Sequence, residues 1–258
     1  MTHVTFERSG GLVEVRLDNP PLNLFDAGMI ASLEGVIADL SDDPPRAVLI
    51  GARGDVVSAG VNVSEFHGLS AAQGRALWTR LMDGIIAPIE ALPCPVVFAS
   101  HGLTLTAAFE LALGCDLILA SESARFGLVE VVVGLTPSMG GPQRLAERAG
   151  SGRARQLVMT GDLFDATTLE RWNVVNAVYG DDELEQRSRE MAERLAAGPT
   201  LAHAMTKRIV RAWADEGMEE ADRVTREEAA DLFESEDLKR AVETFLSEGP
   251  GNATFTGR

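Results

Sequence analysis

Three short apolar runs constrain this chain most: AVLIG (47–51), PVVFAS (95–100) and DLILAS (116–121). Each reads as a buried strand, because a run of four to six β-branched and other apolar residues bounded by turn residues is too short for a helix. Helical patterns lie between and before them. Asp26 is placed to cap a helix running to about Leu40, with Met29, Ile30, Leu33, Val36 and Ile37 at helical spacing. Residues 70–91 read as one long helix stopped before Pro93. Residues 2–8 and 12–17 alternate apolar and polar side chains and join across Ser9-Gly10-Gly11 as a hairpin. Strand and helix therefore alternate, which is the pattern of an α/β fold with parallel pairing. Short strands separated by glycine-rich turns are expected to continue to VVNAVY (174–179).

From Asp181 onward the pattern changes. Residues 182–197, 199–213, 218–233 and 237–247 read as helices rich in Glu, Arg and Ala, with no strand signal. The boundary falls near Gly198-Pro199, which divides the chain into an α/β core, residues 1–197, and a helical C-terminal domain, residues 198–258. Charge runs in that tail, such as REEAADLFESEDLKR, are solvated helix faces.

Thirty-nine acidic residues against 23 basic ones leave a net charge of −16. That balance argues against nucleic acid, whose phosphates need a basic face. An anionic small molecule is still admissible, since a few local donors can hold it. No apolar run is long enough to span a bilayer and the start has no signal pattern, so a cytoplasmic protein is expected. Cys94 and Cys115 sit in apolar surroundings as small buried hydrophobes, and the four histidines show no metal-ligand spacing.

Two glutamates stand out against this background. Glu110 is the sole charge in LTLTAAFELALGC (103–115), and Glu130 the sole charge between Arg125 and Arg144. A buried, unpaired carboxylate costs several kcal/mol unless it takes up a proton. Burial raises its pKa, so two such acids can share a proton-transfer task near neutral pH. The alternative is that each lies at a surface edge or caps backbone amides, and pattern alone weighs the two evenly. In GARGDVVSAGVN (51–62), the small residues Ser58, Ala59 and Gly60 allow a ligand close to the backbone. Thr106-Ala107-Ala108 opens a helix whose first N–H groups lack intrahelical partners. Two such N–H sources can converge on a carbonyl oxygen that gains charge in a transition state.

These segments together resemble the enoyl-CoA hydratase/isomerase (crotonase) superfamily. VVSAGVNVSEF (56–66) is similar to the family's FSAGADLKE segment. HGLTLTAAFELALGCDLILASESARFGLVEVVVGLTPSMGGPQRLAERAG (101–150) is similar to its long central signature. NPPLNLFD (19–26) and the SED…FLSEG…F.GR tail fit as well. The resemblance implies a spiral of ββα units with a helical C-terminal trimerisation region, assembled as a homotrimer or dimer of trimers. It implies an acyl-CoA site in the core, with CoA as part of the substrate and no metal or redox cofactor. It makes the backbone N–H groups of Val61 and Ala107 the oxyanion hole, Glu110 and Glu130 the catalytic acids, and Ala59, Gly60, Asn62 and Ser138 substrate-binding residues.

The implied reaction is hydration of a 2-trans-enoyl-CoA, because both glutamate positions are filled. A Δ3,Δ2-enoyl-CoA isomerase, which needs only the Glu130 base, another acyl-CoA reaction of the superfamily, and a non-catalytic acyl-CoA binder are the rivals. The chain departs from the family pattern in several places. Thr106-Ala107-Ala108 stands for three glycines, Val61 for alanine, Asn62 for aspartate, and Leu22 for a polar or basic residue near the CoA phosphates. His101 is expected to be a structural hydrogen-bonder, and Lys207 and Arg208 to be solvated surface residues.

Overall fold

The computed structural model describes residues 3–258. β1 (Val4–Ser9) and β2 (Leu12–Leu17) form the expected hairpin, and Thr2 lies outside the described residues. Ser9 pairs with Leu12, which leaves Gly10 and Gly11 as a two-residue turn with Gly10 at φ +59°. That left-handed backbone suits glycine because no Cβ opposes it. α1 (Ala27–Asp42) starts where Asp26 accepts a 2.8 Å hydrogen bond from Met29 N–H. Such a cap contributes about 1 kcal/mol. The apolar stripe of α1 is buried from Met29 to Leu40, each large side chain worth about 1.5–3 kcal/mol.

β3 (Ala47–Ala52) follows. The long helix predicted over 70–91 is two helices, α2 (Ala71–Leu81) and α3 (Ala87–Ala91), joined through a π-helical stretch, Met82–Ile86. Nothing in the apolar spacing marks that extra residue per turn. Then come β4 (Val96–Ser100), β5 (Leu103–Leu105), α4 (Ala107–Leu113), β6 (Leu117–Ser121) and β7 (Arg125–Gly127).

The stretch expected to continue as short strands is mostly helical instead. α5 (Gly141–Ala149) and α6 (Ser151–Thr160) precede the two-residue β8 (Phe164–Asp165), and α7 (Ala166–Arg171) precedes β9 (Ala177–Tyr179). The glycines that suggested turns are the breaks between helices: Gly140, Gly150 and Gly161 all have positive φ. Four helices complete the chain: α8 (Leu184–Ala197), α9 (Thr200–Glu216), α10 (Met218–Glu227) and α11 (Glu236–Glu248).

The main sheet has six strands in the order β1-β2-β3-β4-β6-β9, parallel throughout except for the β1–β2 hairpin. Its central strands are buried on both faces, which is why their sequences read as unbroken apolar runs. Val48, Ile50, Phe98 and Ile118 pack in the large core with α1 and α4. Leu49, Val97 and Leu119, the alternate residues, pack against Leu184, Ala192 and Ala196 of α8. A second sheet, β5-β7-β8, carries the approach to α4. Among the described residues, no helix is long and apolar enough to cross a membrane.

Candidate active site

Ser58 links the loop after β3 to the second sheet. Its N–H donates to Leu103 O (2.9 Å) and its carbonyl accepts from Leu105 N–H (3.1 Å), so residues 58–61 run alongside β5 towards the start of α4. In this stretch nearly every amide is used. Ala59 N–H donates to Leu22 O, Gly60 N–H to Ser58 Oγ, and Asn62 N–H to Phe25 O. Val61 N–H has no acceptor among the described residues. Ala107 N–H is in the same condition, at the first position of α4. The preceding turn is pinned by Thr106 N–H to Gly127 O and by Glu110 N–H to Thr106 O, both 2.9 Å.

Val61 and Ala107 line one cavity of about 180 Å³, together with Ala59, Glu110, Glu130 and Ser138. Apolar side chains, among them Phe25, Ile30, Leu77 and Trp78, form the rest of its wall. Gly60 and Asn62, expected at the substrate, are not part of the wall. The Asn62 side chain instead accepts from Ser64 N–H (3.2 Å) and Ser64 Oγ–H (2.8 Å), capping a 3₁₀ turn over Val63–Phe66. Gly60 (φ +114°) faces Thr106, whose Oγ1 would stand 2.9 Å from any Cβ added there. Two larger surface clefts, of about 670 and 530 Å³, contain neither Glu110 nor Glu130.

Glu110 projects from the middle of α4, where every residue is buried, and is 2% exposed. It does cap backbone amides: Oε1 accepts 2.8 Å hydrogen bonds from Met139 N–H and Gly141 N–H. Both donors converge on one oxygen, which fixes the carboxyl's orientation. The bonds do not outweigh burial. Desolvation, then the nearby charge of Glu130, raise the Glu110 pKa to about 7. The Glu130 pKa also rises to about 7, again through burial, and its buried Oε2 has no hydrogen-bond partner. Glu130 opens a 3₁₀ turn, Glu130–Val133, between β7 and α5. Two acids near 7 in one small cavity can trade protons with a ligand at neutral pH, one as base while the other is acid.

Gly141, the first residue of α5, packs directly against the acid. A Cβ there would lie 3.0 Å from both Glu110 Cγ and Glu110 Oε1, so the acid docks on bare backbone. Behind it, Arg144 of α5 is buried, pairs bidentately with Glu90 at 2.6 Å and donates to Gly140 O (3.2 Å). This pair braces the loop that holds Glu110. Thr106, which stands where the family pattern has glycine, also lines the cavity.

His101 Nε2 hydrogen-bonds Gly54 O at 2.9 Å, a structural role. Lys207 is no solvated surface residue, since its Nζ donates to Cys94 O and pairs with Asp116, both at 2.9 Å, tying α9 to the core. Arg208 pairs with Glu228.

With this geometry in place, comparison with known proteins is decisive. The enoyl-CoA hydratase/isomerase family matches residues 7–256. The chain belongs to the enoyl-CoA hydratase/isomerase family. A crotonyl-CoA hydratase from Syntrophomonas wolfei is 30% identical over 257 residues, covering 97% of each chain. A carnitinyl-CoA dehydratase from Escherichia coli is 34% identical over 229 residues, covering 87% of this chain and 85% of the relative. The crystal structure of an enoyl-CoA hydratase subunit I from Geobacillus kaustophilus superposes with a TM-score of 0.91 at 29% identity, covering 99% of this chain and 98% of that one. The α/β architecture with its helical C-terminal region is thus the crotonase fold, as the sequence resemblance implied.

Proposed function

We propose that this protein hydrates 2-trans-enoyl-CoA thioesters to 3-hydroxyacyl-CoA. The observation that carries the reading is one cavity walled by a buried glutamate, Glu110, and a half-buried one, Glu130, each with a pKa near 7, and by two amide donors without acceptors. Addition of water to the conjugated double bond moves electron density onto the thioester oxygen. Val61 N–H and Ala107 N–H are pre-aimed at that charge, and each such donor is worth about 3 kcal/mol in the transition state. Glu110, ionised and held by the Met139 and Gly141 amides, takes a proton from water as its oxygen bonds to the β-carbon. Glu130, protonated, delivers a proton to the α-carbon as the enolate collapses. One proton leaves Glu130 and one arrives at Glu110, and an exchange between the paired acids resets the site. No electron changes hands, so the reaction calls for no redox cofactor.

A homotrimer or dimer of trimers fits this reading. The C-terminal helices leave large apolar side chains exposed, including Met218, Phe233, Phe245 and Leu246, as a subunit contact would use. A division at residues 197 and 198 accords with α8 belonging to the sheet packing.

The test is loss of the conjugated absorbance of crotonyl-CoA and longer 2-enoyl-CoAs. Turnover in wild type and its near-complete loss in Glu110→Ala are expected. Inactivity across the series refutes the reading, and Glu110→Ala that still migrates a 3-enoyl double bond makes the protein an isomerase using Glu130 alone.

A further inference from the structure

Thr106 is buried, 6% exposed, and lines the cavity, yet its hydroxyl has no hydrogen-bond partner. A buried polar group without a partner forfeits its hydration, and native proteins rarely tolerate that without a use for the group. The residue is also held at φ +48°, ψ −121°, a backbone state that a β-branched side chain resists. The surroundings impose it through the Thr106 N–H to Gly127 O bond on one side and the Glu110 N–H to Thr106 O bond on the other.

The position of the hydroxyl is specific. It belongs to the residue whose peptide link carries Ala107 N–H, and it lies against Gly60, the residue whose peptide link carries Val61 N–H. The unused hydroxyl therefore lies against Gly60, on residues that are each one peptide link from an unused amide. Glycine at 60 is what leaves it room, since a Cβ there would stand 2.9 Å from Oγ1.

We propose that Thr106 Oγ1–H is a third donor to the thioester oxygen, acting with Val61 N–H and Ala107 N–H. The proposal rests on the acyl-CoA reading above and goes beyond it. A negatively charged enolate oxygen has lone-pair capacity for three donors, and a donor with no competing partner gives up no hydrogen bond to serve it. The hydroxyl recovers its lost hydrogen bond only when a thioester is bound, and the bond strengthens as the oxygen gains charge.

Three variants and two readouts test this. Thr106→Val keeps the shape and the β-branch but deletes the hydroxyl, Thr106→Ser keeps the hydroxyl, and Thr106→Gly removes both hydroxyl and strain. The first readout is the carbonyl stretch of bound butyryl-CoA, a saturated thioester that cannot turn over, by isotope-edited infrared difference spectroscopy. The frequency is expected to rise in Thr106→Val and Thr106→Gly and to stay at the wild-type value in Thr106→Ser. The second is turnover of crotonyl-CoA, where Thr106→Val is expected to lower kcat by about 10²-fold, as loss of one oxyanion donor does, with Thr106→Ser restoring it. A structural role alone would leave the carbonyl frequency unmoved. Equal frequencies in all four proteins overturn the donor even if wild type hydrates crotonyl-CoA. A wild type that shows the frequency pattern without turnover keeps the donor and refutes hydration. Failure to bind butyryl-CoA overturns both.

Discussion

Glu110→Gln isolates the cost of keeping a carboxyl inside α4. Glutamine retains a side-chain oxygen for the Met139 and Gly141 amides and cannot ionise. In the native protein the Glu110 pKa is raised from 4.5 to about 7. That difference of about 2.5 pH units corresponds to about 3 kcal/mol at 1.36 kcal/mol per unit. Between pH 4.5 and 7 the unfolded chain has released a proton that the folded protein still holds. Stability must therefore fall as pH rises through this window and stay at the lower level above it. Glutamine has no such dependence, and the matching contribution of Glu130 is present in both proteins. Urea unfolding followed by circular dichroism at pH 4.5, 7 and 8.5, at one fixed protein concentration, reads the difference directly. The variant is expected to gain on wild type as pH rises, by about 3 kcal/mol between pH 4.5 and 8.5. A constant offset between the two proteins at all three pH values would refute the claim that burial holds this acid's proton.

Two further outcomes follow from the support around that acid. Gly141→Ala places a methyl group 3.0 Å from Glu110 Oε1 and Cγ, so kcat for crotonyl-CoA should drop by about tenfold or more while the far-ultraviolet dichroism is unchanged; wild-type kcat would show that the loop yields freely. Glu90→Ala leaves the buried Arg144 guanidinium without its bidentate partner and should lower the unfolding free energy by about 3–5 kcal/mol, measured by urea titration, with a loss under 1 kcal/mol counting against the brace.

Elements that make repetitive use of one physical rule were legible in the sequence. β3, β4 and β6 are apolar because both faces of each are covered, and α1 keeps helical spacing because one stripe of it packs on the sheet. The second sheet was not legible, since strands of three, three and two residues are too short to show a period. α5 and α6 were obscured by glycines that close one helix and open the next, and α7 is only six residues long. The two acids could be singled out because charge inside an apolar run is rare. Their setting could not, because the Glu110 partners are backbone amides 29 and 31 residues away that carry no side-chain signal. Thr106 illustrates the same limit. Its identity is visible in the sequence, but its stranded hydroxyl is a property of what Gly60 and Gly127 do around it.

The two glutamates are mounted in different ways. Glu110 stands in the centre of a buried helix and holds the chain at Met139 and Gly141, whereas Glu130 heads a short turn whose next three residues, Val131 to Val133, are exposed. On the hydration reading, a change at position 110 therefore alters the scaffold along with the reaction. On the same reading, a change at position 130 alters the reaction with little burden on the scaffold. In this architecture the turn at 130 can be rebuilt at lower structural cost than α4, whose buried acid is tied to a loop some thirty residues further along the chain.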